Sequence, residues 1–226
     1  MAESLSVRII GTIGVITSLL VPIEAIAKPL SVSQDSGSEL QLYGGPRTRS
    51  PLVQWYLEEL NVPYRYISLN LRENEHQTPE YLAINPMGKV PALVDEDFTV
   101  WESGAILLYL AEKYGDFPDT LEARSRRVQW VLFANATLGP GLFLPERRDR
   151  EIPRLLAPLN EILSQQPFLL GSSLDVADIA IASYLYYAQM LAQLDYGDYP
   201  AIVDYLERIT ARTAFQNTLG KRFAGS

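Results

Sequence analysis

The sequence contains no cysteine. That absence excludes disulfide frameworks, zinc–thiolate sites, iron–sulfur clusters and any catalytic cysteine of the chain's own. Histidine is nearly absent as well. His76 is the one present, so a His-rich metal site is excluded and a Ser-His-Asp triad would have to use that residue. Positive charge is in deficit, with 19 Lys and Arg against 27 Asp and Glu and a net charge of -8. An acidic chain has no field to recruit phosphate backbones, so no nucleic-acid partner is expected. Long hydrophobic runs are missing too. The charge-free stretch Ile9–Ile23 would rise about 22 Å as a helix, short of the ~30 Å hydrocarbon core, so no stable membrane span is expected. What remains is an ordinary globular composition, 47% apolar, 20% charged and 10% aromatic over 226 residues. That is enough apolar surface for a real core in two small domains or one large one.

The first 38 residues differ from the rest. Arg8 precedes the apolar stretch, and Ala25-Ile26-Ala27 after it is a small-x-small triplet of the kind a signal peptidase cuts. Together these form an imperfect secretory pattern, since Glu3, Pro22 and Glu24 depart from it. The other reading is a misplaced translation start. After Met1 the next methionine is Met87, so a later start would need a non-standard codon. Location follows from the choice: cytoplasmic if residues 1–38 are a start-site artefact, periplasmic or lumenal if they are a cleaved signal. Ser31–Glu39 reads as a linker.

Leu40–Tyr43 reads as a short strand ended by Gly44-Gly45-Pro46. Ser50-Pro51 reads as a helix cap with proline at the first helical position, followed by Val53, Tyr56, Leu57 and Leu60 at helical spacing. Asn61 and Pro63 stop that helix, and Tyr64–Leu69 is strand-like. Leu71–Thr78 is polar and expected as exposed loop, with a turn of helix over Pro79–Ile84. Lys89–Val94 and Thr99–Trp101 flank Asp95-Glu96-Asp97, a hairpin signature. Ser103 is expected to cap a helix closed by Gly115. The order βαβ then ββα is a small mixed sheet with helices on its faces, a thioredoxin-like arrangement whose first unit is a right-handed crossover. Four helical stretches follow, Leu121–Leu138, Arg150–Gln166, Asp175–Leu194 and Pro200–Leu219. Pro140 and Pro167 are read as breaks, and Pro153 and Pro158 as a late start or kink. The fold class is therefore α/β followed by all-α: a thioredoxin-like domain over 39–115, a linker over 116–118 and a helical bundle over 119–226.

These residues resemble a family. Leu42-Tyr43-Gly44 and Tyr56–Tyr64 resemble the first strand and helix of cytosolic glutathione transferases. Glu75-His76 with Pro79–Leu93 is similar to that family's glutathione-site segment, and Trp101–Ile106 with Tyr109-Leu110 to its next one. Phe168–Gly171 and Ala177–Ile179 resemble the start of its buried helix. The resemblance runs from about Glu39 to Gly220, in order and at family spacing. The loop Tyr43–Arg49 looks most like the cyanobacterial chi class.

The resemblance implies the site. Val90-Pro91 would be a cis bond whose backbone pairs with the cysteinyl part of glutathione as an added strand. Glu102 and Ser103, at a helix start, would hold the γ-glutamyl ammonium and carboxylate, since free N–H groups and the helix dipole favour an anion there. His76 and Lys89 would meet the glycine carboxylate, and Tyr43 lines the same site. A thiol of pKa near 8.5 must be held as thiolate by a hydrogen-bond donor or a positive charge. The chain has no cysteine for this, so the cysteine-type reductase and lyase classes are excluded. Tyr43, Arg47, Thr48, Arg49 and Ser50 remain. Arg47, Thr48 and Arg49 are the favoured candidates: Thr48 offers a hydroxyl, and two close arginines in an acidic chain are unusual. Asp175 and Asp178 form a capping box with no chemical role. Trp130, Phe133, Leu138 and Tyr184 are candidates for an electrophile pocket between the domains.

The function so implied is glutathione transfer to small electrophiles, a detoxification chemistry of the general conjugating type. It would use glutathione as co-substrate, no metal and no organic cofactor, in a homodimer. The alternatives are a non-catalytic binding or regulatory module on the same fold, or a glutathione-dependent isomerase or dehalogenase. The isomerase's serine-rich loop is absent.

Overall fold

The structure is a computed structural model that describes residues 40–45, 47–116 and 118–223. The expectations placed on residues 1–38 lie outside them. β1 (Leu40–Gly44) buries Leu40, Leu42 and Gly44 on one face and leaves Gln41 and Tyr43 half-exposed on the other. This is the period of two expected of a strand with one face on a core. After α1 (Ser50–Glu59), β2 (Tyr64–Ser68) returns parallel to β1. β3 (Ala92–Asp95) and β4 (Phe98–Trp101) form the expected hairpin, and β3 runs antiparallel to β1. The strand order is β2-β1-β3-β4. α1 and α3 (Ser103–Tyr114) cover one face, with Leu52, Val53, Leu57, Ile106, Leu107 and Leu110 in one cluster with Leu42 and Leu93.

The segment expected as open loop is more ordered than its polarity suggests. It forms two 3₁₀ turns, Leu71–Glu73 and Glu75–Gln77, before α2 (Pro79–Leu82). The Asn70 side chain accepts the Arg72 N–H, Asn74 is left-handed and the Thr78 hydroxyl caps α2. Asn and Thr hold a chain locally through such bonds without any apolar pattern.

From Leu121 onward the described residues form no strand. α4 (Leu121–Phe133) passes through a π-helical turn, Ala134–Leu138, into α5 (Gly139–Phe143). Pro140 therefore does not break the chain. It stands where the π-helical turn passes into α5, and Leu138 and Gly139 before it keep helical backbone angles. α6 (Pro145–Gln165) begins earlier than the expected Arg150 and runs through Pro153 and Pro158. Asp149 and Arg154, whose carbonyls lose their donor four residues on, are exposed, so water replaces those bonds. α7 (Val176–Ala192) is buried almost throughout and carries the full Asp175/Asp178 capping box. α8 (Pro200–Thr210) stops short of Leu219, and α9 (Thr213–Phe215) leads into a second π-helical turn, Gln216–Gly220.

The break between α8 and α9 has a tertiary cause. Arg212 there is extended, and its Nε and Nη2 both donate to the Glu59 carboxylate at 2.7 Å. Phe215 then meets the fully buried Trp55 edge to face at 5.1 Å. Both contacts bring the last segment back onto α1.

Candidate functional site

Sheet register assembles the site. Tyr43 pairs with Ala92, and Ala92 pairs with Trp101. The residues just beyond that row therefore share one edge of the sheet. They are the loop after β1, Val90-Pro91 before β3, and Glu102-Ser103 after β4.

Val90-Pro91 is cis, as the resemblance implied. The backbone leading to it is pinned from below. The Lys89 carbonyl accepts the Tyr81 hydroxyl at 2.5 Å and the Asn85 amide at 2.7 Å. The Gly88 carbonyl accepts Gln77 Nε2 at 3.1 Å. Gly88 itself has φ 58°, and a Cβ there would strike the Gln77 side chain. The Lys89 side chain is exposed. His76 lies on the second 3₁₀ turn, half-buried, and its Nδ1 is buried with no partner among the described residues.

The start of α3 differs from the expectation. The cap position is Glu102, with φ 69° and ψ 120° and no side-chain capping bond, so Ser103 is the first helical residue and caps nothing. Its side chain is 1% exposed, and its Oγ has no partner among the described residues. A residue outside glycine in the left-handed region costs on the order of 1–3 kcal/mol, and such residues gather at ligand sites. A buried hydroxyl without a bond costs about as much again. Both features stand side by side at the positive end of a helix.

The loop after β1 is held mostly by its own atoms. Arg47, exposed, takes φ 60° and turns the chain. The Thr48 hydroxyl donates to the Gly45 carbonyl at 2.8 Å and accepts the Ser50 N–H at 3.2 Å. Ser50, expected as the helix cap, is instead the first helical residue after the cap position Arg49, with its own Oγ 2.8 Å from Thr48 Oγ. Gly44 admits this packing, since a Cβ there would lie 2.5 Å from Ser50 Oγ and from the Tyr66 hydroxyl. Tyr43 lies on the opposite face of β1 from Leu42 and donates to Gln41 Oε1 at 3.1 Å. Burial raises its pKa against the nearby Arg65, which lowers it.

Arg49 is the hub. Its Nη1 donates to Asn135 Oδ1 at 3.1 Å and to the Tyr184 hydroxyl at 3.0 Å, and Nη2 lies 3.4 Å from Glu102 Oε2. One guanidinium thus joins the loop, the start of α3 and the helical half. Of the side chains considered for an electrophile pocket, Tyr184 reaches this hub, whereas Leu138 is fully buried core. Trp130 and Phe133 pack edge to face at 5.7 Å. Sequence reasoning missed Asn135 and Arg222. Arg222 Nη1 donates to the Thr48 carbonyl at 2.8 Å across 174 positions, and nothing in the local sequence marks it. A cleft of about 760 Å³ lies elsewhere, at the far ends of α1 and α3 beside Arg127, Asp175 and Arg212. It contains none of the candidate residues. Among the described residues, no cluster of His, Asp and Glu could hold a metal ion, and no helix is long and apolar enough to cross a membrane.

The fold agrees with independent comparisons. Residues 38–112 match the family described as the glutathione S-transferase N-terminal domain, and residues 145–208 match the glutathione S-transferase C-terminal domain. The chain belongs to the glutathione S-transferase family. It is 34% identical over 210 residues to the disulfide-bond oxidoreductase YfcG of Escherichia coli, covering 82% of this chain and 97% of that one. A glutathione transferase of Phanerochaete chrysosporium solved with oxidized glutathione superimposes with a TM-score of 0.71 at 32% identity, covering 82% and 97% of the two chains. One from Burkholderia graminis, solved with two glutathione molecules per subunit, gives 0.70 at 28% identity over 83% and 88%.

Proposed function

We propose that this protein binds glutathione across the sheet edge just described and uses its thiolate to attack a small electrophile. The observation that carries the reading is Ser103, whose buried hydroxyl has no partner at the start of α3. A γ-glutamyl carboxylate placed there accepts that hydroxyl and the free N–H groups of the first turn. Glu102 is exposed beside it and takes the ammonium. The cysteinyl backbone runs along Val90-Pro91, and His76 and Lys89 lie towards the glycine carboxylate. The thiol then falls at the loop, where Arg47 and Arg49 supply positive charge. The Thr48 proton is committed to Gly45, which favours the arginines as the thiolate-stabilising groups. The reaction needs no group beyond glutathione: the thiolate attacks the electrophilic carbon, the leaving group departs with its electron pair, and the thiol proton goes to solvent. The loop's likeness to the cyanobacterial chi class and the expected homodimer belong to the same reading.

A second reading is favoured by the relative named a disulfide-bond oxidoreductase and by the neighbour solved with oxidized glutathione. With no cysteine in the chain, the attacking sulfur must be that of bound glutathione. Its thiolate displaces one sulfur of a substrate disulfide, and a second glutathione resolves the mixed disulfide, giving oxidized glutathione and two substrate thiols. Retention on immobilised glutathione tests the shared site. Assays with a chlorinated nitroarene, an isothiocyanate and hydroxyethyl disulfide separate the two chemistries. Retention without any turnover would make the protein a binding module, and failure to be retained would overturn the site.

A further inference from the structure

The loop that faces the thiol is held from a distance. Its internal bonds run through the Thr48 side chain, and the hub of Arg49 reaches outward. Neither fixes the peptide between those two residues. That peptide's carbonyl accepts Arg222 Nη1 at 2.8 Å and the Tyr187 hydroxyl at 3.5 Å. The guanidinium lies over the rings of Tyr187 and Phe223, at 5.7 and 5.3 Å from their centroids. Tyr187 is buried, and Phe223 also packs edge to face on Tyr186 at 5.6 Å. Arg222 is therefore set in an aromatic seat, with its Nη1 on one backbone oxygen.

We propose that Arg222 is a positioning residue for the thiolate-stabilising loop. It fixes the Thr48–Arg49 peptide, and through it the direction in which Arg49 leaves the backbone. A charge-assisted bond to a carbonyl is stronger than a neutral one, and a planar guanidinium seated on aromatic rings loses little further freedom in making it. None of the groups assigned to hold glutathione, Val90, Glu102, Ser103, His76 or Lys89, is bonded to Arg222. Its loss should therefore act on the chemical step and spare substrate capture.

The proposal rests on the glutathione-transferase reading, and the experiment separates the two. The variants are Arg222→Ala and Arg222→Lys in the full chain. The first readout is hydrogen exchange of the Ser50 amide, which is bonded to the Thr48 hydroxyl, in the free protein, and it needs no turnover. Arg222→Ala should speed exchange at this amide at least tenfold and leave those of α3 unchanged. The second is the steady-state split. Arg222→Ala should lower kcat about tenfold with KM for glutathione changed less than twofold. Arg222→Lys, which keeps the donor and charge and loses the planar stack, should restore part of it. Unchanged exchange at Ser50 overturns the positioning role, as does a loss expressed wholly in KM or a global rise in exchange across α3. If the parent neither binds nor turns over glutathione, the functional reading fails, while the exchange result still decides whether Arg222 holds the loop.

Discussion

A buried serine hydroxyl without a partner is a cost of about 1–3 kcal/mol that the free protein carries. Ser103 has that hydroxyl. Removing it should help the fold and harm the function. Ser103→Ala is expected to leave the thermal midpoint unchanged or raise it, while glutathione affinity falls at least tenfold in calorimetry. Ser103→Ala combined with Glu102→Ala should abolish binding with the circular dichroism of the parent retained. A double variant that binds as tightly as the parent would move the γ-glutamyl site elsewhere. The two loop arginines are not equivalent. Arg47 is exposed, whereas Arg49 is bonded to Asn135, Tyr184 and Glu102. Cations favour the thiolate, so losing one favours the thiol. Arg49→Ala should raise the pKa of bound glutathione by about 1, or roughly 1.4 kcal/mol, and Arg47→Ala by less. Thiolate absorbance of the binary complex against pH measures both, and equal values in parent and Arg49→Ala would exclude the electrostatic role.

At the scale of elements, α7 carries the clearest titration. Asp178 is fully buried in its capping box. Burial pushes its carboxyl up to about 6, against the N–H groups of Leu169 and Asp175 and the Tyr205 hydroxyl, which pull it down. A carboxyl raised in the folded state keeps its proton after the unfolded chain has lost it. Its contribution to stability is therefore full below about pH 4 and is lost as pH rises toward 6, by on the order of 3 kcal/mol. Denaturant titrations of parent and Asp178→Asn at pH 4.5 and 7 should show the gap between them narrowing as pH rises, and a constant gap would refute the shift. This box was legible because Asp-x-x-Asp before an apolar run is a local signal. The first residues of α1 and α3 were each misread by one position. What sets them is backbone, with Arg47 at φ 60° and Glu102 at φ 69°, and side-chain types do not encode a left-handed turn outside glycine. Pro140, Pro153 and Pro158 misled for a related reason. A proline's cost depends on whether the freed carbonyl meets water, and that is a tertiary fact. Three strips of the site were readable because each is short and contiguous. Asn135, the hub of Arg49 and Arg222 were not, because the contacts of Arg49 and Arg222 join residues 53 to 174 positions apart.

For the molecule as a whole, the remaining expectation is pairing. Phe98, Leu121 and Leu132 are 49%, 74% and 58% exposed, apolar side chains that pairing would cover. Light scattering at micromolar concentration is expected to give twice the mass of one chain, and a monomer there would remove the dimer from the proposed function. The return of the last segment to α1 bears on a different matter, the order in which the polypeptide is made. Trp55 is covered by Phe215, Glu59 is neutralised by Arg212, and the Thr48 carbonyl is held by Arg222. The half that is made first thus lacks these partners until residues 212–222 have been added. A nascent chain stalled before Arg212 should show solvent-exposed Trp55 fluorescence and bind no glutathione, and release of the remaining residues should quench the first and restore the second together.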